Sequence, residues 1–201
     1  MGASRTKYER QFWELGYRLI AGLDEVGVGC LAGPVVAAAV IFSSENTLPR
    51  GIDDSKKFTA ARRGELSEII RARAVAWAIG TASVEEIDTI NIYQAARLAM
   101  KRAVESLSLT PEYLLIDGRV RLECPVPQLS IIRGDQLSVS IGAASILAKV
   151  HRDQWMTEMD VTYPGYHFAS HKGYGSVEHR RQLQALGPSP LHRKSFTWTP
   201  V

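Results

Sequence analysis

The sequence predicts an α/β fold with a mixed β-sheet flanked by helices, and three patterns carry that expectation. Apolar runs of strand length come first and then alternate with stretches of helical periodicity, the order that a mixed, helix-covered sheet requires. The longest apolar run, Leu31 to Phe42, is interrupted by Gly33 and Pro34, so it folds as turn and buried strand and is too short to span a bilayer. The small residues Gly142, Ala143, Ala144, Ser145 and Ala148 within one long helix let that helix sit close against a sheet.

Tyr17 to Asp24 and Val35 to Phe42 read as strands, with Gly27, Gly29, Gly33 and Pro34 marking an irregular turn between them. Thr59 to Arg73 has helical spacing, with Leu66, Ile69 and Ile70 on one face, and Ala74 to Ala82 reads as a strand. Ile90 to Leu107 reads as one helix whose inner stripe is Ile92, Ala95, Ala96, Ala99 and Ala103. Tyr113 to Ile116 is a short strand closed by Asp117-Gly118, and Leu129 to Ile132 is another. A further helix runs from about Ser138 to Met159. Beyond Tyr163-Pro164-Gly165 the chain is rich in turns, with a helix at Val177 to Leu186. No repeat or linker divides the chain, so residues 1–201 read as a single domain, with a core at about 17–160 and a C-terminal helical extension at about 161–201.

With 201 residues, 45% of them hydrophobic and 22% charged, the chain buries enough core to need no disulfide or structural zinc. Cys30 and Cys124 form no C-x-x-C pair, which points to a reducing, cytoplasmic setting. The first residues lack the apolar stretch of a secretory signal. His167 and His171 have an i, i+4 spacing, but no third ligand completes a zinc site. The net charge of +3 is compatible with a polyanionic partner without demonstrating one.

The acids at strand ends are the unusual feature. Asp24, Glu25 and Asp117 each close an apolar strand and run at once into glycine-containing turns, the place where open sheets collect their active sites. Neighbours on a strand point to opposite faces, so Asp24 and Glu25 reach one site only if the chain bends there. Asp135 stands before the long helix, where it serves either as a first-turn acid or as a fourth member of the group. Carboxylates gathered in this way repel one another unless cations neutralise them, and an all-oxygen set suits Mg²⁺ or Mn²⁺.

Seven blocks then occur in order: GLDEVGVGCLAGPVVAAAVIF, DDSKK, INIYQAARLAM, YLLIDG, RGDQLSVSIGAASILAKVHRD, YPGYHFASHKGYGSVEH and GPSPLHRKSF. Together they resemble the ribonuclease HII family, the type 2 ribonucleases H, over about Tyr17 to Phe196. The resemblance implies a ribonuclease H-like mixed sheet flanked by helices, with a C-terminal helical extension. It implies a metal-dependent endoribonuclease acting on RNA–DNA hybrids and on ribonucleotides embedded in duplex DNA, leaving 3′-OH and 5′-phosphate ends. By motif position the metal-binding, catalytic acids are Asp24, Glu25, Asp117 and Asp135, holding two divalent ions, Mg²⁺ or Mn²⁺, roughly 4 Å apart.

The family's glycine-arginine-glycine element falls on Gly27-Val28-Gly29, with valine in place of the arginine, and its junction-sensing tyrosine falls on Tyr174. The glycines keep backbone N–H groups available to a phosphate, whereas Val28 removes one guanidinium. Lys56, Lys57 and Arg193 read as phosphate contacts. The partner implied is nucleic acid, with no membrane and a monomeric chain. Two rivals remain at this stage: a binding module of the same fold without catalysis, and a small-molecule phosphohydrolase using the same metal pair.

Overall fold

A computed structural model describes residues 5–43, 48–49, 51–52 and 58–201. Helix α1 (Lys7–Glu14) leads into strands β1 (Ile20–Val26) and β2 (Val35–Phe42), followed by α2 (Ala60–Arg73) and β3 (Ala76–Ala82). Helices α3 (Val84–Ile90) and α4 (Ile92–Glu105) precede β4 (Tyr113–Asp117) and β5 (Gln128–Ile131). Helices α5 (Gly134–Leu137), α6 (Val139–Thr162), α7 (Phe168–His171) and α8 (Val177–Leu186) complete the chain. The sheet order is β3-β2-β1-β4-β5. β1, β2 and β3 pair antiparallel, while β4 and β5 run parallel to β1, so the sheet is mixed.

Strand alternation divides the core into two layers. On β2, Val35, Ala37, Ala39 and Ile41 pack with the α4 residues Ala95, Ala99 and Met100. The intervening Val36, Ala38, Val40 and Phe42 pack with Ala143, Ala144 and Leu147 of α6 and with Leu66 and Ile70 of α2. Two glycines permit the close approach. A methyl group at Gly22 of β1 would overlap the Ser140–Ile141 backbone of α6, and one at Gly80 of β3 would overlap the α4 backbone at Ala99 and Ala103. The small-residue run of α6 is buried, in agreement with its spacing.

Three local readings change. The helix expected over Ile90 to Leu107 is α4, which starts only at Ile92. Asn91 separates it from α3: its backbone has a positive φ of 68° and its side chain accepts hydrogen bonds from Tyr93 N and Gln94 N. β1 starts at Ile20, not Tyr17, and stays in register with β2 through Val26, so Asp24 and Glu25 point to opposite faces of the sheet. Helix α1 was not legible from periodicity. It carries Glu9 into the interior, where Oε1 accepts from Ser138 Oγ (2.5 Å) and Ser140 N (2.9 Å). That places a carboxylate at the positive end of α6, a favourable electrostatic pairing.

Candidate active site at the ends of β1 and β4

Asp24 and Asp117 are brought together by sheet register. β1 and β4 run parallel with Leu23 opposite Ile116, so the next residues, Asp24 and Asp117, stand side by side and on the same face. Gly134 N donates to Asp117 Oδ1 (2.6 Å) and Asp135 N approaches the same oxygen at 3.4 Å, which ties the start of α5 to the end of β4. The Asp135 carbonyl in turn accepts from the Arg5 guanidinium. Asp24 is buried; it accepts from Glu25 N (2.8 Å) and is hydrogen-bonded by Ser145 of α6. Its carboxyl is pushed well above the ordinary aspartate range, first by burial and then by the charges of Glu25 and Asp117.

Glu25 is placed differently. Its partner across the sheet, Ala37, belongs to the α4 layer, whereas Ala38, opposite Asp24, belongs to the α6 layer. Glu25 therefore lines a cavity with Val28, Tyr93 and Arg119 on the α4 side of the strand tip. As the side chains stand, no group of three or more His, Cys, Asp or Glu among the described residues encloses a single ion. The donor set nonetheless fits a hard divalent cation. All donors are carboxylate oxygens, they sit at one end of the sheet, and the most buried of them is under-neutralised by its surroundings.

The glycine turn and Tyr174 meet. Cys30 and Tyr174 form an isolated antiparallel bridge, and Leu31 N donates to Gly173 O (2.8 Å). Gly27 has φ +94° and lies against the Arg152 side chain, so no larger residue fits there, whereas Gly29 faces open space. Tyr174 is partly exposed, with Lys149 Nζ 5.1 Å from its ring centroid. Its hydroxyl bonds Cys30, and burial pushes its pKa up to about 12.

Arg193 departs from its expected role. It is 3% exposed, and its guanidinium donates to the carbonyls of Gly27 (2.6 Å), Val28 (3.0 Å) and Gly33 (2.8 and 3.1 Å). A guanidinium so enclosed cannot grip a phosphate; Arg193 is a clamp on the glycine turn. Arg152 of α6, which sequence reasoning passed over, does the same for the neighbouring segment. It is fully buried and donates to Pro34 O (2.9 Å), Lys172 O (2.8 Å) and Ala32 O (2.9 Å). The signal available in sequence was indirect: an irregular buried turn leaves carbonyls that something must satisfy. Ser145, one of the small residues of α6, also hydrogen-bonds Asp24. Lys56 and Lys57 lie outside the described residues.

A histidine chain braces the same corner. Ser189 N donates to His192 Nδ1 (2.9 Å), His192 Nε2 and His179 Nε2 are 3.0 Å apart, and His179 Nδ1 is 2.9 Å from Tyr174 O. A carbonyl only accepts, so His179 is protonated on Nδ1, and its Nε2 accepts the proton of His192 Nε2. Both rings are neutral, and burial lowers each to about 4.

The comparisons agree with this architecture. The model of the family described as ribonuclease HII matches residues 21–199. The chain belongs to the ribonuclease HII family. Ribonuclease HII of Myxococcus xanthus is 55% identical over 191 residues, 94% of this chain and 65% of that protein. Ribonuclease HII of Geobacter sulfurreducens is 54% identical over 189 residues, 94% of this chain and 87% of that one. The chain thus spans slightly less than two thirds of the Myxococcus relative. The crystal structure of ribonuclease H2 from Pyrococcus horikoshii shares the fold with a TM-score of 0.76 at 23% identity, covering 89% of this chain and 93% of that one. A crystal structure of Bst-RNase HIII in complex with Mn²⁺ shares it with a TM-score of 0.64 at 19% identity, covering 87% and 65%. The ribonuclease HII sheet and C-terminal helices predicted from sequence are therefore present. No described helix is long and apolar enough to cross a membrane.

Proposed function

We propose that this chain is a metal-dependent endoribonuclease that hydrolyses the RNA strand of RNA–DNA hybrids and cleaves at ribonucleotides embedded in duplex DNA, leaving 3′-OH and 5′-phosphate ends. The observation that carries the reading is the side-by-side placement of Asp24 and Asp117 on parallel strands, with Asp135 tied to Asp117 through the α5 backbone. Asp24, Glu25, Asp117 and Asp135 are the residues that would hold two divalent ions, Mg²⁺ or Mn²⁺. When bound, such ions supply a lowered water pKa and charge stabilisation at the departing oxygen.

The chain's own part is to place and orient. Ser145 and the Glu25 amide fix the Asp24 carboxylate, and the Gly134 amide fixes Asp117. Glu25, on the α4 side of the strand tip, would be the member of the set that meets the ions from that side. Gly29 offers backbone to a phosphate, and Tyr174, held one loop away, offers a ring to the sugar beside the cleavage point, where the 2′-OH alone separates RNA from DNA. The chain is read as one catalytic domain acting as a cytoplasmic monomer, with residues 161–201 as the extension that carries Tyr174.

The test is to map products on an end-labelled DNA duplex containing one ribonucleotide, with Mg²⁺ and then Mn²⁺. A single cut at the ribonucleotide, absent in EDTA, is the expected result. Binding without cutting under either ion would favour the non-catalytic module, and activity on free nucleotides alone would favour a small-molecule phosphohydrolase.

A further inference from the structure

We propose that the groove between α4 and the β4–β5 connection is a second nucleic-acid subsite, which holds one strand of the duplex by its phosphates and by a stacked base. The proposal rests on the function given above and extends it to the opposite side of the acids from Tyr174. A cavity of about 540 Å³ opens beside the acids and is lined by Glu25, Val28, Tyr93, Arg97, Arg119 and Arg121. A second cavity of about 740 Å³ shares Arg97 and Arg121 with it, and a third of about 350 Å³ shares Arg97. The groove therefore leads away from the strand tips along the outer side of α4.

Its chemistry is that of a polynucleotide strand. Tyr93 is 77% exposed, far more than a ring of its size gains by facing water, and it stands in the first turn of α4 next to the cavity mouth. Arg119 and Arg121 are exposed and make no hydrogen bond or ion pair with any described residue. Arg97 has only the highly exposed Glu123, at 3.7 Å. Guanidiniums left unpaired beside a carboxylate group, together with an exposed aromatic face, match a ligand that alternates phosphate and flat base. Val28 lines the same wall, so these arginines supply positive charge where the glycine turn has none. Glu25 marks the end of the groove at which the strand meets the acids.

The experiment measures binding of a fluorescent 20-base-pair RNA–DNA hybrid in EDTA, where no cleavage occurs, across a series of salt concentrations. In the double variant Arg119→Gln/Arg121→Gln the slope of log K against log[salt] should become shallower by about 1.8, that is about 0.9 for each lost phosphate contact. Affinity at fixed salt should fall by about tenfold per arginine. Tyr93→Ala should weaken binding at least fivefold with the slope unchanged, and Tyr93→Phe should restore it. Arg62→Gln removes one positive charge, half the change of the double variant, on α2, the other side of the sheet, and should leave the slope at the wild-type value. The subsite is refuted if the double variant keeps the wild-type slope, or if Tyr93→Ala binds like wild type. Wild-type protein that neither binds nor cuts the hybrid would overturn the proposed function and this subsite together. Intact wild-type cleavage with unaffected variants would overturn the subsite alone.

Discussion

Two buried groups of charge sit within one corner of the molecule and are treated in opposite ways. At the tips of β1 and β4, carboxylates are gathered side by side, and no cation among the described residues is among the main influences on Asp24. One loop away, the guanidiniums of Arg152 and Arg193 are enclosed just as thoroughly, yet they are met by six backbone carbonyls: Ala32, Pro34 and Lys172 for the one, Gly27, Val28 and Gly33 for the other. Burial lowers Arg193 to about 10, which still leaves it charged at neutral pH. A saturated charge holds structure, whereas an unsaturated one waits for something to bind. The difference separates residues that shape this corner from residues that would act in it, and it moves Arg193 from the second class to the first.

The comparison breaks most visibly at the acids. Asp24→Asn or Asp117→Asn should lower divalent-dependent cleavage of a hybrid by a factor on the order of a thousand, as loss of a charge-positioning group does. The same substitutions should spare hybrid binding in EDTA, since they remove negative charge beside phosphates. Asp24→Asn should also raise stability by about 1 kcal/mol, because it removes a buried carboxylate facing two others. Turnover near the wild-type level in either variant would mean that these acids do not hold the catalytic ions.

At the clamps the sign is reversed. Arg193→Met or Arg152→Met leaves three carbonyls without their donor and should destabilise the fold by about 3 kcal/mol, read as a lower urea midpoint at constant m-value. Arg193→Lys should recover little of that loss, since one ammonium cannot span the fan of acceptors that a guanidinium reaches. A midpoint within error of wild type would show that the glycine turn stands without its clamp.

These two regions also mark where sequence ceases to be informative. Strand and helix periodicity placed β2 and α8 to the residue and showed the small-residue face of α6, because each records a repeating choice between core and solvent. Asp24 and Asp117 stood out for the same reason, as charges interrupting apolar runs. The clamps left no such trace. Arg152 and Arg193 sit 41 positions apart in polar stretches, and each meets carbonyls more than 100 residues away or across the C-terminal loops. Exposed and buried arginines look identical until the turn that they satisfy has folded. The break at Asn91 was hidden likewise, since Ile90 and Ile92 keep the helical stripe running through a residue whose backbone leaves it.

The histidine pair gives the comparison a pH axis. His179 and His192 titrate near 6.5 when unfolded and at about 4 in the fold, so the unfolded chain takes up protons that the folded pair refuses. Their contribution is complete above about pH 6.5 and is lost as pH falls toward 4, on the order of 3 kcal/mol in unfolding free energy for each ring. Asp24 works in the other direction: its folded pKa lies above its unfolded value, so protonation in acid relieves the carboxylate group and favours the fold. The wild-type slope between pH 6.5 and 4 is the difference of the two. Urea titrations across that range should therefore show a fall that becomes steeper in Asp24→Asn, where the opposing contribution is gone, and shallower in His192→Gln. An Asp24→Asn curve that is flat or rises toward pH 4, with the opposing contribution removed, would show that the imidazoles are not held neutral.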